Sequence, residues 1–238
     1  MPRQLSFDLP VITAHGRDDF FVSAANAAAV AMIEGWADWP ARKLALVGPA
    51  GSGKTHLVHV WSGLSGARIV RATDLPDQDI AELATGPVAV EDCRAIAGQR
   101  DLEEALFHLH NLCLAEGHSL LLTARTAPNY WPLSLPDLAS RVQATPTVTL
   151  HPPDDALLSA VLMKLFHDRQ ISPTPDLVPF LTRRIDRSFE AAHDIVAALD
   201  AAALDAGRAI NRTLARELLD KRTEDGQTPS SSCNTGHG

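Results

Sequence analysis

Eight consecutive residues constrain this chain more than anything else in it: Gly48-Pro49-Ala50-Gly51-Ser52-Gly53-Lys54-Thr55. They satisfy the pattern G-x-x-x-x-G-K-[ST]. They also follow an apolar, strand-like run over 44–47 and precede a helical pattern that starts near Thr55. Each residue type has a physical task in such a loop. The glycines let the backbone curl so that successive N–H groups point inward at phosphate oxygens. The helix behind adds its positive amino end. Lys54 offers a charge to β- and γ-phosphates, and the Thr55 hydroxyl is a ligand for Mg²⁺.

A strand–loop–helix of this kind implies a parallel α/β sheet, and the rest of the chain agrees. Apolar runs at 43–47, 67–71, 87–91, 119–123 and 147–150 are short and rich in Val, Leu or Ile. They lack strict alternation, as strands buried on both faces do. Helical patterns lie between them. Over 101–116, Leu102, Ala105, Leu106, Leu109 and Leu112 form one stripe, with Glu103 and Glu104 expected opposite. The sequence thus predicts an α/β domain over 19–151. From Pro152-Pro153 the pattern turns to helices only, at 154–169, 175–185, 188–206 and 211–221, punctuated by Pro173, Pro175 and Gly207. This predicts a small all-α domain over 152–221. Residues 1–18 read as a polar leader with an apolar knot, and 222–238 as a disordered polar tail.

Composition removes several classes. The chain has 29 acidic against 21 basic side chains and a formal net charge of −8, which disfavours a general nucleic-acid binder. One tyrosine and seven phenylalanines disfavour a base-stacking platform. Cys93, Cys113 and Cys233 fit neither a disulfide framework nor a C-x-x-C metal pattern, and a reducing cytoplasm is the natural compartment. No run approaches the ~18–20 apolar residues of a membrane span, and residues 1–10 lack the apolar core of a signal peptide. His56 and His59, and His108 and His110, have no third ligand at useful spacing, so a histidine metal site is not expected.

Two further elements bear on the phosphate loop. Val88-Ala89-Val90-Glu91-Asp92 is an apolar strand ending in two carboxylates, which can hold Mg²⁺ through water (Glu91, with Thr55) and polarise an attacking water (Asp92). Leu120-Leu121-Leu122-Thr123 ends in a hydroxyl that is either a contact to the terminal phosphate or an ordinary strand end.

These elements in this order, followed by an all-helical segment, resemble an AAA+ module with its helical lid. The resemblance narrows at Asp19-Phe20-Phe21-Val22-Ser23-Ala24-Ala25-Asn26, which is similar to the N-F-V-x-G-x-x-N segment of the DnaA family of replication initiators. It implies that Phe21 and Val22 pack near an adenine base and that Asn26 starts the next helix, with Ser23 standing where the family has glycine. Nucleotide contacts are then expected from Phe21, Val22, Asn26, the loop residues Pro49, Ala50, Gly51, Ser52, Gly53, Lys54 and Thr55, and the adjoining His56. Leu135-Pro136-Asp137-Leu138-Ala139-Ser140-Arg141-Val142 resembles that family's L-x-S-R box. By that likeness Arg141 is a finger reaching the nucleotide of a neighbouring subunit; the alternative is a surface arginine on a short helix.

The resemblance ends near Leu219, without the helix-turn-helix domain that initiators use to read DNA, so sequence-specific DNA binding is not expected. Gln4-Leu5-Ser6-Phe7-Asp8-Leu9 resembles the peptide by which bacterial proteins dock on the replicative sliding clamp. Gln4, Leu5, Phe7 and Leu9 would make the contacts; the alternative is a leader that packs on its own domain. Together these features resemble the Hda family, whose members ride the clamp and promote ATP hydrolysis by DnaA. The implied ligands are ADP or ATP with Mg²⁺, the implied partners are the clamp and DnaA, and assembly into a homo-oligomer stays open. Where DnaA-like proteins carry a lid arginine facing the nucleotide, Asp186-Arg187-Ser188-Phe189-Glu190 offers either Glu190 or, one turn away, Arg187. A glutamate there would repel a γ-phosphate and favour ADP. The rivals are an AAA+ ATPase of helicase-loader type and a structural clamp adaptor with a vestigial nucleotide site.

Overall fold

The computed structural model describes residues 21–225. The leader with Gln4, Leu5, Phe7 and Leu9, and residues 226–238, lie outside them. The described chain divides into two compact units. One runs to Leu157 and takes in Arg187–Phe189; the other holds Leu158–Asp186 and the chain from Glu190 onward.

The first unit is built on β1 (Lys43–Val47), β2 (Arg68–Arg71), β3 (Val88–Glu91), β4 (Leu120–Ala124) and β5 (Thr147–Thr149). Every pairing is parallel, in the order β2-β3-β4-β1-β5. All residues of β1 and β4 are buried, which is why their sequences are apolar apart from Lys43 and Thr123. The edge strand β2 alternates more, and only Val70 is buried in it. One face of the sheet packs Leu44, Leu46 and Leu121 against α1 (Ala27–Glu34) and α2 (Lys54–Ser65), through Ile33, Leu57 and Trp61 among others. The other packs Val88, Leu120 and Leu122 against α4 (Arg100–Ala115) and α5 (Pro136–Gln143). A single-turn helix, α3 (Ile80–Leu83), adds Leu83 to that side. Burying both faces supplies the main stabilisation, at about 25 cal/mol per Å² of apolar surface.

One sequence expectation is overturned here. Glu103 does not face solvent: the buried positions of α4 are Glu103, Leu106, Leu109, His110 and Cys113. The stripe is rotated because Glu103 has backbone donors to satisfy, while Leu102, Ala105 and Leu112 pack at its margins.

In the second unit, α6 (Asp155–Asp168), which starts in the first unit, is followed by α7 (Leu177–Thr182), α8 (Phe189–Ala206) and α9 (Arg212–Asp225). Their shared core includes Leu162, Phe166, Leu181, Ile195, Leu199 and Leu214. The α8 contribution, Ala192, Ile195, Val196 and Leu199, has the i, i+3, i+4, i+7 spacing of one helical face. Two boundaries differ from the sequence reading. α7 starts at Leu177, which puts Pro179 in the first turn, where its missing N–H has no intrahelical bond to make. α9 continues through residues 222–225, which the sequence assigned to a disordered tail.

Candidate nucleotide site

The phosphate loop leaves β1 at Gly48, whose N–H donates to Ala124 O of the neighbouring strand at 3.2 Å. No side chain fits there, since a Cβ would run into the Leu150 carbonyl and lie 2.9 Å from Ser52 Oγ. Gly51 and Gly53 adopt φ of 68° and 96°, the left-handed region that glycine enters without steric cost. Gly53 is the N-cap of α2, so the free N–H groups of the first helical turn face the loop. The Ser52 hydroxyl is buried beside it with no hydrogen-bond partner among the described residues. A buried, unsatisfied hydroxyl costs free energy unless something supplies its bond, and a phosphate oxygen is such a group.

Lys54 folds back onto the loop, donating from Nζ to Gly48 O at 2.8 Å and to Pro49 O at 2.7 Å. Burial lowers its pKa; Asp92 and Glu91 oppose that shift, and the Arg125 guanidinium adds to it. The ammonium is thus partly desolvated in a place shaped for anions. Thr55 Oγ1 donates to Glu91 Oε1 at 2.7 Å, which brings together the hydroxyl and the carboxylate that the sequence nominated for Mg²⁺. That donor set suits Mg²⁺, which takes one or two carboxylates and completes its octahedron with water and phosphate oxygens. Among the described residues no cluster of three or more His, Cys, Asp or Glu is placed to hold a metal. The next residue, Asp92, is exposed and left-handed at φ 55°, a conformation uncommon outside glycine. Its N–H donates to Thr123 Oγ1 at 3.2 Å, so β3 and β4 present their ends as one rigid ledge.

The other expected contacts are placed as follows. Asn26 is buried and sits at the N-cap of α1, with its amide spent on its own loop: Oδ1 accepts from Ser23 N at 2.8 Å and Nδ2 donates to Phe21 O at 2.9 Å. Ser23 closes this turn without a left-handed φ. Val22 is half-buried against the α1–α2 core, and Phe21 is exposed. Pro49, Ala50 and His56 are exposed on the loop and first helical turn. Arg187 pairs with Asp155 at 2.8 Å, both exposed, and Glu190 is exposed in the first turn of α8. Between them, the Phe189 N–H donates to Gly51 O at 2.8 Å, and its ring stands 2.7 Å from where a Gly53 Cβ would be.

Arg141 is elsewhere. Its carbonyl accepts from Lys43 Nζ at 2.8 Å, and Lys43 is the first residue of β1, whereas the loop follows the last. Four residues of strand at ~3.3 Å each put about 13 Å between those ends. The arginine therefore lies toward the amino end of the strands, away from its own phosphate loop.

Sequence reasoning missed Glu103, Lys43 and Arg125. Lys43 opening an apolar run and Pro136 opening a helix with no capping side chain before it were the visible signals for the first two. Arg125, straight after β4, carried none.

No family model matches this chain. An uncharacterized protein of Haemophilus influenzae is 27% identical over 186 residues, covering 72% of this chain and 79% of that one. Domain III of the Thermotoga maritima replication initiation protein DnaA superposes with a TM-score of 0.72 at 18% identity, covering 88% of this chain and 95% of that one. DnaA bound to AMPPCP and single-stranded DNA gives 0.70 at 14% identity, covering 87% and 69%. A Thermotoga maritima RuvB variant gives 0.63 at 14% identity, covering 82% and 66%. With its phosphate loop and five-stranded parallel sheet flanked by helices, the chain has an AAA+ fold. Within that class its fold is similar to that of DnaA domain III.

Proposed function

We propose that this chain is a nucleotide-binding AAA+ regulator of the Hda type, acting in the cytoplasm. It holds ADP or ATP with Mg²⁺, docks on the sliding clamp through Gln4, Leu5, Phe7 and Leu9, and stimulates ATP hydrolysis by DnaA. The observation that carries this reading is the position of Arg141. A guanidinium at the amino end of the strands cannot serve a phosphate loop at their carboxyl end, so its chemistry is available to a second molecule.

Within the chain, the N–H groups of the loop and of the first turn of α2 would bind the diphosphate, with Lys54 neutralising its charge. Thr55 and Glu91 would hold Mg²⁺, whose charge would offset that of the phosphates. Asp92, locked by Thr123, orients water at the end of β3. In the partner's site Arg141 would stabilise the charge of the transferring phosphoryl group, a contribution of about 10³–10⁵ in rate where such fingers are known. Docking on the clamp raises the local concentration of the pair.

The test is ATP hydrolysis by DnaA with clamp loaded on DNA, with and without this protein. We expect stimulation by the wild type and none by Arg141→Ala, with clamp and nucleotide binding unchanged. Stimulation of wild-type size by Arg141→Ala would reject the finger. Turnover of ATP by the isolated chain would favour the ATPase reading.

A further inference from the structure

α4 presents Glu103, Phe107 and His110 at i, i+4 and i+7, a spacing that puts three side chains in one row. Each meets α5 or what holds it. Glu103, fully buried, is the acceptor for the segment leading into α5: Ser134 N at 2.9 Å, Ser134 Oγ at 2.9 Å and Leu135 N at 2.7 Å, with Gly98 N at 2.7 Å completing its shell. No basic side chain pairs with it among the described residues. Its charge is held by hydrogen bonds alone, next to the positive end of a helix. Phe107 lies under the Arg141 guanidinium, 5.4 Å from ring centroid to Cζ. His110 Nε2 is 3.3 Å from Lys43 Nζ, and the same ammonium donates to the Arg141 carbonyl, which also accepts from Thr145 Oγ1 at 3.2 Å.

We infer that Glu103, Phe107 and His110, with Lys43, are positioning residues for Arg141: together they fix the start of its helix, its carbonyl and its guanidinium, and so present one exposed cation in a single orientation to an anion on a second molecule. The inference rests on the reading of Arg141 as a group that acts in trans. Three buried charged or polar side chains, Glu103 and His110 on α4 and Lys43 on β1, are costly unless satisfied. Here Lys43 bonds the Arg141 carbonyl, His110 meets Lys43, and Glu103 holds the segment that opens the helix of Arg141, whose own side chain stays exposed. A surface arginine without a task needs none of this, because lysine and arginine side chains at surfaces ordinarily sample many rotamers. Preorganised charge is what electrostatic stabilisation of a transition state requires.

The experiment uses full-length chain carrying Phe107→Leu, Phe107→Tyr or Glu103→Gln, each alone and combined with Arg141→Ala, in the hydrolysis assay above. Phe107→Leu removes the ring face but keeps the apolar bulk. It is expected to lower the saturating stimulated rate by about two- to five-fold, leaving the half-saturating concentration unchanged, and Phe107→Tyr restores it. Glu103→Gln, which faces backbone N–H groups with an NH₂, is expected to lower that rate by about tenfold or more. Neither has a further effect once Arg141 is alanine, a coupling that a merely destabilised fold would not produce. The inference is overturned if folded Phe107→Leu and Glu103→Gln both reach the wild-type maximum. If instead Arg141→Ala stimulates fully, the in trans reading has failed. The cradle is then judged by NMR relaxation of the Arg141 Nε–H, which needs no partner. An order parameter that is high in wild type and falls in Phe107→Leu sustains it, and one that is low in both overturns it.

Discussion

The two ends of β1 obey opposite rules. At its carboxyl end the backbone is left wanting: glycines with positive φ, helix-first N–H groups turned into a loop, a buried Ser52 hydroxyl without a partner among the described residues, and a Lys54 ammonium resting on carbonyls. At its amino end the polar groups close on one another. Lys43 meets His110 and the Arg141 carbonyl, and farther along α4 Glu103 takes up the donors that precede α5. The first end is built to be completed by something from outside. The second closes most of its bonds on itself, with His110 Nδ1 left over among the described residues, and what it exposes is Arg141. A loop of unsatisfied backbone and side-chain donors, set against an end whose Glu103 and Lys43 are bonded within the fold, divides a receiving surface from a presenting one.

The comparison breaks most visibly at Lys54. Replacing it with alanine removes the one ammonium that the loop holds, and we expect affinity for ADP and for a non-hydrolysable ATP analogue to fall at least about 100-fold by calorimetry. The fold should survive, because among the described residues Lys54 bonds only to two loop carbonyls. A variant that kept wild-type heats would deny the carboxyl end its receiving role.

The amino end is open to a test by pH. His110 is held down to about 4, first by burial, then by the charges of Lys43 and Arg141. A histidine with a depressed folded pKa binds fewer protons folded than unfolded. Its contribution is therefore present above the ordinary value near 6.5 and lost as pH falls toward about 4. Glu103 moves the same way in a lower window: burial raises it, but the N–H groups of Ser134, Gly98 and Leu135 and the Ser134 hydroxyl together bring it below the usual carboxylate value. We expect urea unfolding to show stability declining from about pH 6.5 to 4, and His110→Gln to flatten that limb. A limb of equal slope in the variant would show that the buried ring does not govern it.

How far the sequence went follows the same division. Receiving ends are legible because they require residue types at fixed spacing: only Gly48-x₄-Gly53-Lys54-Thr55 builds that loop, and buried parallel strands can only be apolar, so all five were placed within a residue or so. Presenting ends are not, because satisfaction is a matter of partners distant in sequence. Glu103 meets Ser134 across 31 positions and Lys43 meets Arg141 across 98. Periodicity sorts charged residues to the solvent side by default, which is where it put Glu103. Asn26 shows the same limit locally: its place at the start of α1 was readable, whereas the turn that consumes its amide was not.

A smaller effect sharpens the boundary of the receiving end. Arg125 follows Ala124, which is in register with Val47, the last residue before the loop. It is exposed, makes no ion pair with the described residues, and lowers the Lys54 pKa by its charge. We expect Arg125→Ala to weaken binding of the triphosphate analogue by about three- to tenfold, as loss of one exposed charge-assisted contact does, with ADP almost unchanged. Arg187 is the contrast. Its partner Asp155 is as exposed as it is, so the pair contributes about 0–1 kcal/mol. We expect Arg187→Ala to change nucleotide affinity by less than about two-fold. If calorimetry instead showed a tenfold loss with Arg187→Ala and none with Arg125→Ala, the phosphate-facing cation would belong to the segment before α8, and Asp155 would be a resting place that Arg187 leaves when nucleotide binds.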